Sequence, residues 1–233
     1  MQTIDLDGVR VPFELRRSAR ARHLRADIRL RRGLRVTLPE AMDESRVAPF
    51  LRSMRRWVLR TLKRMDRLAR QIPERPLVHG ARVPYLGGEL ALDVNVGEAR
   101  VGRLGDTLVI HVPRRAEGTV RRALEAWYRA EAERVFPERV RAIAGRHGIA
   151  VRKVTIRDMK TRWGSCTEAG SLSFHWRLLL APAEVVDYMV AHELAHRFEL
   201  NHSPAFWLKV GEMCHDYRER EKWLRKNGRS LVL

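Results

Sequence analysis

Cysteine is scarce. Cys166 and Cys214 are the only two among 233 residues, which excludes a scaffold built on disulfides. Neither sits in a C-x-x-C pair of the kind that binds metal, and both read as buried thiols. No apolar run reaches 18 residues, so a transmembrane helix and a membrane partner are excluded. The opening stretch MQTIDLDGVRVPFEL alternates polar and apolar residues and lacks the apolar core of a signal peptide. A soluble, cytoplasmic protein is therefore expected. No repeat recurs at a fixed period, and the glycines are too scattered for a Walker-type phosphate loop. Acidic residues are outnumbered, 28 against 46 Lys and Arg, for a net charge of +18. Such an excess suits a polyanionic partner, although a bias toward arginine in the composition or a solvated surface gives the same count. With 45% hydrophobic residues the chain can bury a sizeable core.

The pattern divides the chain into stretches. Ile4, Leu6, Val9, Val11 and Phe13 alternate with polar residues around Asp7-Gly8, a hairpin signal. A second strand pair reads HLRADIRL and LRVTLP around Arg32-Gly33. From Ser45 to Ala69 apolar residues recur every three or four positions, as in one long amphipathic helix. Its other face carries Arg52, Arg55, Arg56, Arg60, Lys63, Arg64, Arg67 and Arg70, and Pro73 and Pro76 are expected to end it. Residues 77–112 return to strands, with a turn at Gly87-Gly88. A helix over 118–147 is expected to start at Thr119 as N-cap, to kink or break at Pro137 and to stop at Gly148. Pro113 and Gly118 mark a boundary, which divides the chain into 1–115 and 116–233. Beyond it, VRKVTIRDM is strand-like, and Gly164 and Gly170 suggest a turn between two further strands. Pro182 opens a helix, and Ser203-Pro204 reads as an N-cap and a first helical residue. Further helices are expected over roughly 204–214 and 217–227.

The chemistry concentrates in His192-Glu193-Leu194-Ala195-His196. Two histidines four residues apart lie on one helix face, and neutral imidazole is a good metal ligand. Glu193 is placed to take a proton from a water on the metal. His202, ten residues after His192, is a third candidate ligand, spaced as in the metzincin pattern. Glu199 stands where that pattern has glycine, and Asn201 is expected to supply the left-handed turn instead. An HExxH arises by chance in roughly 3% of shuffled chains of this composition, and requiring His202 lowers this to roughly one in a thousand. Three histidines with an open water position suit zinc, although imidazole also binds nickel and copper. Glu199 reads as a helix surface residue more than a fourth ligand, and His175 as a structural histidine.

The segments MKTRWGSCTEAGSLSFHWRLLLAP and VVDYMVAHELAHRFELNHSPAFW resemble the YgjP-like metallopeptidase family. RSARARHLRADIRLRRGLRVTLPE and GARVPYLGGELALDV extend the resemblance over nearly the whole chain. Its most specific part joins Lys160 through Cys166 with His192 through Trp207. His175 departs from the pattern, which has Asn before Trp-Arg-Leu. The family is similar to the SprT-like zincin proteases at its catalytic core. The resemblance implies an α+β fold: a strand-rich N-terminal part with long basic helices, then a zincin-like metallopeptidase domain whose HExxH helix lies beside a small sheet. It implies His192, His196 and His202 as ligands of one zinc ion, Glu193 as general base, and Trp163 near the edge strand.

Three functions are therefore expected as alternatives. In a zinc peptidase, Lys160 and Arg162 would frame the substrate site beside Trp163, and an extended peptide would pair with an edge strand near 171–175. Members of the family are also labelled UTP pyrophosphatases, and there the same cations would hold a nucleoside triphosphate. A nucleic-acid-associated protease or binding protein would use the basic surface.

Overall fold

The computed structural model describes residues 2–30, 33–71, 76–159 and 161–233. It divides into two compact units, Met1–Glu74 and Arg75–Leu233, and both mix helices with small sheets. Among the described residues no helix is long and apolar enough to cross a membrane.

The first unit opens with strands β1 (Gln2–Leu6) and β2 (Val9–Ser18), paired antiparallel. Asp7 and Gly8 both have positive φ, 54° and 79°, as the tight turn expected there requires. Strands β3 (Arg25–Arg29) and β4 (Gly33–Pro39) form a second antiparallel pair. β2 runs parallel to β4, so the sheet order is β1-β2-β4-β3. Alternate residues Ile4, Leu6, Val11, Phe13, Leu34, Val36 and Leu38 are buried on one face, as a period of two dictates. Against them lie α1 (Val47–Ser53) and α2 (Arg55–Gln71) through Val47, Leu51 and Val58. The single helix expected over 45–69 is thus two, broken at Met54 with φ −108° and ψ 17°. Leu51 and Val58 are seven residues apart and share the buried face across the break, so the apolar periodicity does not reveal it. Pro73, expected to end this helix, and Arg32 lie outside the described residues.

The second unit repeats this topology. β5 (Arg82–Tyr85) and β6 (Gly88–Val96) pair antiparallel, as do β7 (Arg100–Leu104) and β8 (Thr107–Val112). β6 runs parallel to β8, and the order is β5-β6-β8-β7. The first turn again holds two left-handed residues, Leu86 and Gly87, and the second holds Gly105, as left-handed Gly33 opens β4. A long helix comes next, α3 (Glu117–Arg146). The chain therefore carries the same four-strand-and-helix arrangement twice, although no repeat is visible in its sequence. Residues 19–24 separate β2 from β3 but only 97–99 separate β6 from β7, and unequal loops erase a fixed period.

The expected division at 115/116 also falls elsewhere. Val83, Leu90, Leu92, Val94, Leu108, Ile110 and Val112 share one core with the helices and strands of residues 117–233, so the second sheet belongs to the same unit as they do. In α3 the helix starts two residues before Thr119, with Ala116 as its N-cap, and it continues through Pro137. Gly148 has φ 63° just past its end, as expected of a C-terminal stop.

A second small sheet comprises β9 (Lys153–Arg157), β10 (Gly164–Cys166) and β11 (Ser171–His175), in the order β10-β11-β9. β11 is central, so the edge strands are β10 and β9 rather than 171–175. Gly170, with φ 78°, makes the turn, whereas Gly164 lies within β10. Helices α4 (Ala183–Ala195), α5 (Pro204–Met213) and α6 (Tyr217–Asn227) complete the unit. Pro182 is the N-cap of α4 rather than its first residue, while Ser203 caps α5 by accepting from the Phe206 N–H at 3.2 Å. The Phe136 and Phe174 rings stack at 4.6 Å where α3 meets β11, and both are fully buried. Phe174→Ala should lower the unfolding free energy by roughly 3–5 kcal/mol, the range for a large core aromatic. Urea denaturation measures this, and a loss below about 1 kcal/mol would deny the stack its place in the core.

Candidate metal centre

Helix α4 is unusually well wrapped. Val185, Val186, Tyr188, Met189, Val190, Ala191, Leu194 and Ala195 are all buried. A helix apolar nearly all round belongs inside a core, so its polar residues are held with little freedom. The hairpin turn of the second unit presses on its start, where a side chain at Gly87 would meet the Pro182 backbone at 3.4 Å. The Leu86 N–H donates to the Leu179 carbonyl at 2.8 Å just before it.

His192 lies one turn before the end of α4, and His196 is its C-cap. The His196 Nδ1 is 2.9 Å from the Glu199 carbonyl oxygen. A carbonyl can only accept, so Nδ1 carries the proton and the Nε2 lone pair is left for a metal. The chain then turns back to His202. Asn201 is absent from the residues with positive φ, so it does not make the expected left-handed turn. Its side-chain oxygen instead accepts from the Ser203 N–H at 3.1 Å, which tightens the return.

The three histidines converge, each offering one nitrogen within 4.8 Å of the other two. The His192 and His202 Nε2 atoms are 3.1 Å apart. Two ligand nitrogens on a tetrahedral ion at 2.0–2.1 Å sit about 3.4 Å apart, so the observed spacing fits a small cation. Burial, then the charges of His196 and His202, pulls the His192 pKa down to about 3. Burial also lowers His196, partly offset by the Glu199 carbonyl. Both are therefore neutral at pH 7, the form that binds metal. Beneath them Phe206 is fully buried, with ring centroids 4.9, 4.6 and 4.6 Å from His192, His196 and His202.

Glu193 is 3% exposed, and its Oε2 has no hydrogen-bond partner among the described residues. Burial pushes its pKa up to about 8, against the opposing charge of Arg162. The carboxylate lies on the bare Cα of Gly164: a Cβ there would come within 2.7 Å of the Glu193 Cγ and Cδ. In sequence Gly164 reads as a turn residue, and neither this contact nor the role of Phe206 is visible. No local pattern announces either, because each is defined by a neighbour distant in sequence.

The remaining expected residues lie at varying distances from this centre. Lys160 is outside the described residues. Arg162 is exposed, and its charge reaches Glu193. Trp163 is half-buried, its ring 5.4 Å from that of His175 and within contact distance of a side chain placed at Gly228. The Glu199 carboxylate is not in the histidine cluster; only its backbone carbonyl reaches His196. Cys166 and Cys214 are half-buried rather than fully buried.

His175 is buried, and its Nδ1 accepts from the Arg177 N–H at 3.1 Å, capping the turn at Trp176–Leu180. Its Nε2 is 3.3 Å from Asp158. Asparagine is a strong N-cap, so histidine here fills the role that Asn can fill. Burial and the Arg177 charge lower its pKa to about 4.

A profile of the family described as YgjP-like, metallopeptidase domain, matches residues 22–227. Two solved structures are similar to the chain. One is the metallopeptidase zymogen abylysin of Pyrococcus abyssi, at 22% identity and TM-score 0.37, covering 42% of this chain and 100% of that one. The other is the metallopeptidase zymogen jannalysin of Methanocaldococcus jannaschii, at 19% identity and TM-score 0.31, covering 39% and 95%. No curated protein matches the chain.

The tight seat of Glu193 can be tested by mutation. Gly164→Ala should destabilise the protein by roughly 1–3 kcal/mol through the overpacked Glu193, and by much less in a Glu193→Ala background. Equal losses in both backgrounds, read by thermal melts, would remove the contact from the account. His175 has a folded pKa below its ordinary 6.5, so the unfolded chain binds more protons between the two values. Its contribution is then complete above about pH 6.5 and is lost as pH falls toward about 4, on the order of 3 kcal/mol at most. His175→Asn should keep the cap and flatten that part of the stability profile; an unchanged pH dependence would contradict it.

Proposed function

The chain belongs to the YgjP-like family of metallopeptidase domains, and on that premise we propose that it is a zinc-dependent peptidase. His192, His196 and His202 hold the ion, and Glu193 is the general base. The observation that carries this reading is the convergence of three neutral-capable imidazoles beside a buried carboxylate with an unpartnered oxygen. When bound, the zinc ion supplies Lewis-acid polarisation and makes water a nucleophile near neutral pH.

The chain's own residues supply the rest. Glu193 Oε2, whose burial-raised proton affinity a cation held by the three histidines would lower, accepts the proton of the attacking water and returns it to the leaving amine. Gly164 leaves the room in which that carboxylate sits. The Glu199 carbonyl holds His196 in the ligand tautomer. β10 is the sheet edge that passes Glu193, and an extended peptide adding to it brings its backbone to the carboxylate. That strand favours a peptide over a nucleoside triphosphate as substrate. Arg162, whose charge reaches Glu193, fixes the substrate's polar groups.

Glu193→Gln keeps the shape of the side chain and all three ligands. Zinc content and melting temperature should stay near those of the unmodified protein, while cleavage of a broad peptide library falls roughly 10²–10⁴-fold. His196→Ala should lose zinc and activity together, because a tetrahedral site tolerates few missing ligands. Full activity in Glu193→Gln would overturn the assignment of the base. Release of pyrophosphate from UTP without any peptide cleavage would overturn the substrate.

A further inference from the structure

The outer face of α2 takes no part in the metal centre. Residues 55–71 hold six Arg and Lys on that helix besides Arg55, against one acid, Asp66. The apolar face, with Val58 fully buried, packs on the first sheet. At 100° per residue, Arg56, Arg60, Lys63, Arg64, Arg67 and Arg70 fall within one arc on the other side, and all six are exposed. At about 1.5 Å per residue this ladder is about 21 Å long. None of the six forms a salt bridge among the described residues; Arg55, at the helix start, pairs with Asp7.

A charged helix face is often only solvated, and α3 shows how this protein arranges such a face. α3 occupies the same place in the second copy of the strand-and-helix arrangement. There Arg121, Arg129, Arg134 and Arg139 pair with Glu117, Asp158, Glu131 and Asp187. On α2 the one acid, Asp66, forms no salt bridge with these cations among the described residues. At its margin stands Trp57, 38% exposed, one helical turn from Arg60. A large aromatic ring left in water beside a row of guanidinium groups is a surface for stacking bases while the cations hold phosphates.

We propose that this face of α2 is a docking surface for single-stranded nucleic acid. Duplex would engage the cations but leave Trp57 without an unstacked base. An anionic membrane would need an apolar face to enter the bilayer, and that of α2 is buried against the sheet. The inference is independent of the metal centre and of its substrate.

The test uses the full-length protein and a fluorescein-labelled 20-nucleotide oligothymidylate, with anisotropy read from 50 to 300 mM KCl. Binding should weaken with salt, with a log–log slope of about −4 if all six cations hold phosphates at about 0.7 each. Arg60→Glu with Arg64→Glu should weaken binding at least tenfold and flatten the slope by about 1.4. The Lys versions of both positions should keep most of the binding and the same melting temperature. Trp57→Ala should weaken binding roughly tenfold without changing the slope, the signature of lost stacking rather than lost charge. No binding at 100 mM KCl, or equal binding by the charge-reversed protein, would overturn the proposal. So would a 20-base-pair duplex bound as tightly and indifferent to Trp57→Ala, or binding to phosphatidylserine vesicles without binding to the oligonucleotide.

Discussion

The close approach of Glu193 to Gly164 governs the metal centre. A helix and a strand can bring a carboxylate this near to a backbone only where the strand offers no Cβ. With the carboxylate seated there, the edge strand β10 lies beside the helix that carries His192 and His196. The same contact strips water from Glu193, and this raises its proton affinity. Packing then closes the geometry from other directions: Phe206 under all three histidine rings, and the Leu86-Gly87 turn against the start of α4. An arrangement of this kind is held by close-packed neighbours rather than by any single strong bond.

The repeated strand-and-helix arrangement serves two purposes. In the second unit its turn meets the residues before α4, its strand β5 accepts a hydrogen bond from Tyr128 at the Pro84 carbonyl, and its helix α3 is buried along much of its length. There it is the scaffold of the metal centre. In the first unit the same topology encloses a core of its own, from Ile4 to Val58. Its helix keeps one face for that core and a dense row of unneutralised cations on the other. A helix in the first setting must be apolar on several sides, whereas one in the second needs only one apolar stripe. The amino acids of α3 and α2 differ accordingly.

Much of this was legible in the residues alone. HExxH, the third histidine ten residues on, the Asp7-Gly8 hairpin, the Ser203 cap and the helix over 217–227 are local patterns, set by one helical turn, one tight turn or one capping bond. So too was the alternation that buries Ile4, Leu6, Val11 and Phe13. The family resemblance likewise rested on short runs of residues. What the residues could not disclose was whatever depends on partners far apart in the chain. The doubled topology is hidden by unequal loops. The domain break lies before β5 because the strands of residues 77–112 share their core with α3 and α4, and only packing decides that. Gly164 looks like a turn glycine until Glu193 is seen against it, and Asn201 looks like a left-handed turn until its side chain is seen on the Ser203 N–H. His175 looks like a departure from the Asn of the family pattern until its ring is found capping Arg177. Local sequence thus determined which groups could bind a metal and which segments could be helix or strand, because those preferences act over a few residues. Tertiary structure decided which groups meet, which are stripped of water and which stay charged and exposed, because those outcomes belong to contacts between residues that the chain itself keeps far apart.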